Sequence, residues 1–235
     1  GAISVTLLSL LSPGDHAVFQ SGLYGGTQHL VANQIERLGI KTTIVPTTNV
    51  TDYEAAIKKN TKVIYIESPT NPLLEVIDLK GMAKVAKKHG VVTVIDNTFA
   101  SPINQRPIEH GIDIVVHSAT KYLNGHSDLC AGAVVGPKKY MATIRKTAMD
   151  MGPTLDMEAS YMLERGMKTL GIRVAKQNEN AMAISKFLQS HPKVRKVYYP
   201  GLPSHPGHKI AKKQMDGYGG MMSFELGCSL KSALK

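Results

Sequence analysis

An α/β fold built on a mostly parallel sheet is the architecture this sequence predicts, and three observations carry it. Short apolar runs alternate with amphipathic stretches along most of the chain. The later runs are continuous rather than alternating, as strands buried on both faces are. Polar residues with chemical potential follow several runs directly, where parallel sheets place their ligands.

The elements follow in order. Ala2 to Leu11 reads as a helix, stopped by Ser12-Pro13-Gly14-Asp15. His16 to Gln20 is a strand, followed by a Gly-rich turn from Gly22 to Gly26 and a helix from Thr27 to Leu38 that ends at Gly39. Thr42 to Val45 is a second strand, and Tyr53 to Asn60 a short helix with Asp52 at its cap. Lys62 to Ile66 is a strand entering the polar loop Glu67-Ser68-Pro69-Thr70-Asn71-Pro72. Leu79 to His89 is an amphipathic helix closed by Gly90, and Val91 to Ile95 a strand ending in Asp96. Ile112 to Val116 leads into His117-Ser118-Ala119-Thr120-Lys121, and Ala131 to Val135 completes the strand series. Leu155 to Leu170 and Val174 to Leu188 read as long helices with a kink at Gly171; the Pro-Gly stretches at 199–203 and 205–207 read as loops.

Composition narrows the function classes. The 235 residues are 43% hydrophobic and 20% charged, an ordinary globular balance. No apolar run reaches the roughly 18 residues of a membrane span, and the first residues lack the basic leader of a signal peptide. Cys130 and Cys228 are too few for a disulfide scaffold, which favours a reducing, cytoplasmic setting. The chain opens without Met and stops at Lys235 without a turn signal, so both ends are expected to be cuts in a longer protein. The net charge is +10, with Lys186, Lys193, Arg195, Lys196, Lys209, Lys212 and Lys213 uninterrupted by acids. That run is read as a solvated face rather than a nucleic-acid footprint, because no nucleic-acid motif or aromatic interleaving accompanies it.

Tyr24, Asn71, Asp96 and the cluster Ser118, Thr120 and Lys121 all fall at strand ends. Each has an ordinary alternative: a packing tyrosine, a turn former before proline, a helix cap, a solvated lysine. Together they make the set a pyridoxal cofactor needs. Lys121 supplies an amine for a Schiff base, and Asp96 a carboxylate to keep the ring nitrogen protonated. Ser118 and Thr120 supply hydroxyls for the phosphate, and Tyr24 a flat ring to stack on the cofactor. A metal site built from His117, His126 and Asp96 is the weaker reading, since their spacing puts no pair on one helix face.

The ordered motifs go further. Tyr24-Gly25-Gly26-Thr27, Glu67-Ser68-Pro69-Thr70-Asn71-Pro72, Asp96-Asn97-Thr98-Phe99 and Ser118-Ala119-Thr120-Lys121-Tyr122 occur in sequence. Asn124-Gly125-His126-Ser127-Asp128, Arg165-Gly166-Met167-Lys168-Thr169-Leu170 and Tyr199-Pro200-Gly201-Leu202 follow. The chain closely resembles the Cys/Met-metabolism (transsulfuration) pyridoxal-phosphate enzymes, which include cystathionine γ-lyase, γ-synthase and β-lyase and methionine γ-lyase. The resemblance implies fold type I, like aspartate aminotransferase: a large cofactor domain over 1–170 and a small C-terminal domain beginning in 171–235 and truncated there. It implies Lys121 as Schiff-base lysine, Asp96 at the pyridinium nitrogen, Ser118 and Thr120 on the phosphate, Tyr24 on the ring, Asn71 near the ring hydroxyl, and Glu67 behind them. Tyr24 doubles as a candidate proton donor or acceptor.

The resemblance also implies elimination or γ-replacement on sulfur amino acids or activated homoserine, in a homotetramer. Two of the family's features are missing from the 235 residues: the phosphate loop with its Tyr-x-Arg arm, and the arginine that grips the substrate carboxylate. This stretch alone is therefore expected to be inactive. Gly26 stands where methionine γ-lyases usually carry Cys, which tilts the expectation toward cystathionine γ-lyase or γ-synthase.

Overall fold

The computed structural model describes residues 1–228. Helix α1 (Ala2–Leu10) leads into β1 (His16–Gln20), and α2 (Gly25–Leu30) into β2 (Lys41–Val45). Then come α3 (Val50–Ala56), β3 (Thr61–Glu67), α4 (Leu79–His89), β4 (Val92–Asp96), the single-turn α5 (Ser101–Asn104) and β5 (Ile114–Ser118). β6 (Gly132–Val135), α6 (Lys138–Met151), α7 (Met157–Met167) and α8 (Leu170–Ser190) follow. Last are β7 (Val194–Tyr198), α9 (His208–Gln214) and β8 (Ser223–Leu226).

Six strands form one sheet in the order β2-β1-β3-β4-β5-β6, and β7 pairs with β8 in a separate two-stranded sheet. The pairs from β2 through β5 are parallel. Helices cover both faces. On one, Val5 and Leu7 of α1, Val31 and Ile35 beyond α2, and Ile144 of α6 pack on Phe19, Tyr65, Val94 and Val116. On the other, Tyr53 of α3 and Leu79 and Met82 of α4 pack on Val18, Ile64, Ile66 and Ile95. Val63 through Ile66 are fully buried as a result, which is why β3 reads as an unbroken apolar run. Each such side chain contributes about 1.5–3 kcal/mol of burial free energy.

Local chemistry sets the boundaries. Asp78 caps α4 by accepting from the Gly81 amide (3.1 Å), and Gly90 ends it in the left-handed region at φ 66°.

Several expectations need correction. The cap of α3 is Asn49, whose side chain accepts from the Thr51 amide; Asp52 lies inside the first turn, and the helix stops at Ala56 rather than Asn60. The Thr27–Leu38 helix begins at Gly25 and passes through a π turn at Val31–Ile35 and a 3₁₀ turn at Glu36–Leu38. β6 runs antiparallel to β5 rather than continuing the parallel series. The break between the long helices lies at Lys168–Thr169, so Gly171 sits inside the first turn of α8 and kinks nothing. α6, β7, α9 and β8 were not anticipated. Residues 229–235, the end of the expected C-terminal part, lie outside the described residues.

Candidate active site

Alternation along the strands decides which way the polar ends point. Tyr65, Val94 and Val116 all face the α1/α6 side, so Glu67, Asp96 and Ser118, each two residues further on, project to that same side. Glu67 pairs in register with Asp96, and Asp96 with Val116. The two carboxyls therefore stand one strand spacing apart, about 4.8 Å between backbones. Lys121 follows β5, the immediate neighbour of the strand that carries Asp96. His117 has the opposite parity and faces away from Asp96. Burial pushes its imidazole down to about 4. Among the described residues no cluster of three His, Cys, Asp or Glu side chains is arranged to hold a metal ion.

One side chain the sequence reading passed over ties this end of the sheet together. The Thr98 hydroxyl donates to Asp96 Oδ1 (2.5 Å) and accepts from the Ser118 amide (2.8 Å), while the Thr98 amide also donates to Asp96 Oδ1 (3.0 Å). Asp96 is 5% exposed and, among the described residues, has no cation beside it. Burial raises its pKa, and the two bonds from Thr98 pull the other way.

Glu67 is equally buried. Its Oε2 accepts from the Tyr24 amide (2.8 Å), and its own amide donates to the Gln20 side chain (2.8 Å). Burial, and then the neighbouring Asp96 charge, push its carboxyl up to about 8 against the pull of the Tyr24 and Asn71 amides. Tyr65, wholly buried on the same face, is raised well above its ordinary value by burial, then by Asp96 and Glu67. Gln20 belongs to no motif and acts on the Glu67 amide, while Thr98, though part of the Asp96-Asn97-Thr98-Phe99 motif, was assigned no role because its work is done on a neighbour's carboxylate and backbone.

The remaining sequence candidates stand at or just beyond the carboxyl ends of β1, β3 and β5. Tyr24 caps α2 and is 58% exposed, with its ring folded against Gly26: a Cβ at that glycine would lie 2.6 Å from Tyr24 Cε1. Any side chain at 26 therefore displaces the Tyr24 ring. Asn71 is exposed at the tip of a loop held by Thr70, whose hydroxyl accepts from the Glu75 amide (3.0 Å). Ser118 is half-buried, and no hydrogen bond engages its hydroxyl among the described residues. The Thr120 hydroxyl, by contrast, donates to Ala131 O (3.2 Å) and accepts from Ala131 N (2.9 Å). The Lys121 side chain is exposed. Its turn is closed by the bond from the Gly125 amide to Lys121 O (2.7 Å).

A family model described as Cys/Met metabolism PLP-dependent enzyme matches residues 1–235. The chain belongs to that family. Among relatives of this Cys/Met metabolism protein, a cystathionine β-lyase of Coxiella burnetii is 48% identical over 237 residues, covering 100% of this chain and 61% of that protein. An L-methionine γ-lyase of Fusobacterium nucleatum is 48% identical over 229 residues, covering 96% and 58%. A solved cystathionine γ-lyase from Lactobacillus plantarum, complexed with L-serine, superposes with a TM-score of 0.93 at 46% identity, covering 96% of this chain and 59% of that one. The chain thus spans about 60% of the length of the relatives it matches.

The family's cofactor is pyridoxal 5′-phosphate, and the donor set fits it. A buried carboxylate without a counter-charge is costly. At Asp96 the protonated ring nitrogen of the cofactor is a cation of the right size and hydrogen-bonding capacity to offset that cost.

Proposed function

We propose that the full-length protein carrying this chain eliminates or replaces a sulfur or oxygen substituent on sulfur amino acids or activated homoserine. Within that range, Gly26 in place of the Cys usual in methionine γ-lyases favours the cystathionine γ-lyase and γ-synthase reactions. The observation that carries this is the buried Asp96, bonded through Thr98 to the first amide of the Ser118–Lys121 turn. That arrangement joins the anchor for a ring nitrogen to the turn that bears the amine.

When bound, pyridoxal 5′-phosphate supplies an aldehyde for amines and a ring that takes up the electron pair left when a bond at Cα breaks. Lys121 would hold the cofactor through Nζ and, when its amine is free, would be the base that moves the substrate's Cα proton. Asp96 holds the proton on the ring nitrogen. Ser118 Oγ donates to the phosphate. The Thr120 hydroxyl, which accepts from Ala131 N, would hold the phosphate with its single hydrogen in place of Ala131 O. Tyr24 stacks on the ring, and its hydroxyl hands a proton to or from the leaving group. Asn71 holds the ring hydroxyl, with Glu67 behind Tyr24.

The small C-terminal domain is taken to begin at about 171, where α8 leads to the separate β7–β8 sheet. A homo-oligomer, tetrameric when full length, is supported by apolar side chains displayed on α7 and α8: Met157 is 91% and Ile172 73% exposed. A cytoplasmic setting is supported by two unpaired, exposed cysteines, Cys130 and Cys228. The seven basic residues from Lys186 to Lys213 are all exposed, which supports the solvated-face reading. Among the described residues no helix is long and apolar enough to cross a membrane.

Assays of the full-length holoenzyme with cystathionine, methionine and O-acetylhomoserine test the reading. Turnover of cystathionine or O-acetylhomoserine above methionine is expected. Preferred turnover of methionine would select the second reading, a methionine γ-lyase, which the Fusobacterium relative favours. Turnover of none, with cofactor bound, would overturn both.

A further inference from the structure

Arg173 lies on the first turn of α8, outside every motif used to assign the site, yet its guanidinium reaches the turn that follows Lys121. Nη1 donates to Tyr122 O (3.0 Å), and Nη2 to Leu123 O (3.4 Å) and to Gly166 O (2.9 Å). Nε donates to Thr169 Oγ1 (3.0 Å), which fixes the plane of the fork. Two of the accepting carbonyls belong to the residues immediately after Lys121. Leu123 is buried, so its carbonyl left unbonded would be costly.

The surroundings are cut to admit this one side chain. Gly125 sits at φ 80°, and a Cβ on it would lie 1.9 Å from Arg173 Nη1. The guanidinium thus fills the space any other residue at 125 would need. Gly166 of α7 lies so near that its Cβ would come within 2.4 Å of Asn124 O. The corner between α7 and α8 therefore presses directly on the lysine turn, and Arg173 is the bond between them. A lysine at 173 would keep the charge but could not bridge carbonyls on both segments in one plane.

We propose that Arg173 is a positioning residue for Lys121: by clamping the carbonyls of residues 122 and 123 to the α7–α8 corner, it fixes where the Lys121 amine stands and returns. This rests on Lys121 being the lysine that carries the cofactor. A displacement of the amine by about 1 Å costs on the order of tenfold to a hundredfold in rate. The pH profile of cofactor absorbance reports on the same displacement.

The test uses the full-length protein with Arg173→Met and Arg173→Lys, the second being the milder change should the first fail to fold. Borohydride reduction and peptide mapping of the wild type come first; a label on any lysine other than Lys121 removes the reading and the proposal together. With the label on Lys121, Arg173→Met is expected to keep it there and to lower kcat about tenfold or more with KM little changed. The pH midpoint of cofactor absorbance should move. Amide exchange at Asn124 and Gly125 should quicken in the cofactor-free protein, with Arg173→Lys intermediate in each. Wild-type kcat, absorbance midpoint and exchange in either folded variant would overturn the proposal. So would a fall in kcat accompanied by faster exchange elsewhere but not at 124 and 125.

Discussion

Glu67 and Asp96 are register partners at the carboxyl ends of adjacent parallel strands, and both carboxyls are buried on the same face of the sheet. Neither has an ion-pair partner among the described residues. The Asp96 charge adds to burial in holding the proton on Glu67.

That pairing makes the cofactor-free protein sensitive to pH. Glu67 titrates near 8 in the fold, against 4.5 ordinarily. Between those values the unfolded chain has released a proton that the folded chain still holds, so stability falls as pH rises through that window and levels off above about 8. Asp96, also raised, adds to the fall in the same direction. Urea midpoints of the apoprotein from pH 5 to 9 should decline, and Glu67→Gln should flatten most of the decline. A profile that is flat in the wild type, or unchanged in the variant, would contradict the assignment.

The same carboxylates are the legible part of the site. An apolar run ending in an acid exposes Asp96 to sequence reading because few other residues can close a buried strand with a charge. Val63 through Ile66 and Val94 through Asp96 read as strands for the same reason: both of their faces are covered. Strand direction is another matter. Gly132–Val135 is as short and apolar as its neighbours, and nothing in four such residues encodes that β6 runs antiparallel. α6 escaped because, of the Tyr140, Met141, Ile144 and Ala148 side chains that it lays on the core, only Ile144 is fully buried, and basic and polar residues interrupt that stripe. Arg173 was silent because its work is done on backbone carbonyls, which carry no residue-type pattern; Thr98 was visible as part of a motif, but its bonds to the Asp96 carboxyl and the Ser118 amide were not.

Thr98 gives the second prediction. Thr98→Ala removes the hydroxyl from Asp96 and leaves the Ser118 amide without its acceptor, a cost of about 1–3 kcal/mol in stability. It also removes one of the bonds that hold the Asp96 pKa down. Cofactor affinity, measured by fluorescence titration of the apoenzyme, should weaken. Thr98→Ser should retain most of it. Asp96→Asn should lower kcat on the order of a hundredfold or more, since a neutral amide cannot hold the ring nitrogen as a cation. Equal cofactor affinity in Thr98→Ala and wild type would break the proposed link.

Tyr24 separates stacking from proton transfer. Tyr24→Phe keeps the ring and should leave cofactor binding near wild type while lowering kcat by about a hundredfold. Tyr24→Ala should weaken cofactor binding as well. If the phenylalanine variant turned over substrate at the wild-type rate, the hydroxyl would have no part in the chemistry.

The amine itself decides the account. Borohydride reduction of the full-length holoenzyme, followed by mass mapping of the peptides, should find the reduced cofactor on Lys121, and Lys121→Ala should carry no reducible cofactor. A label on a different lysine, or a reducible cofactor at full occupancy in Lys121→Ala, would contradict it.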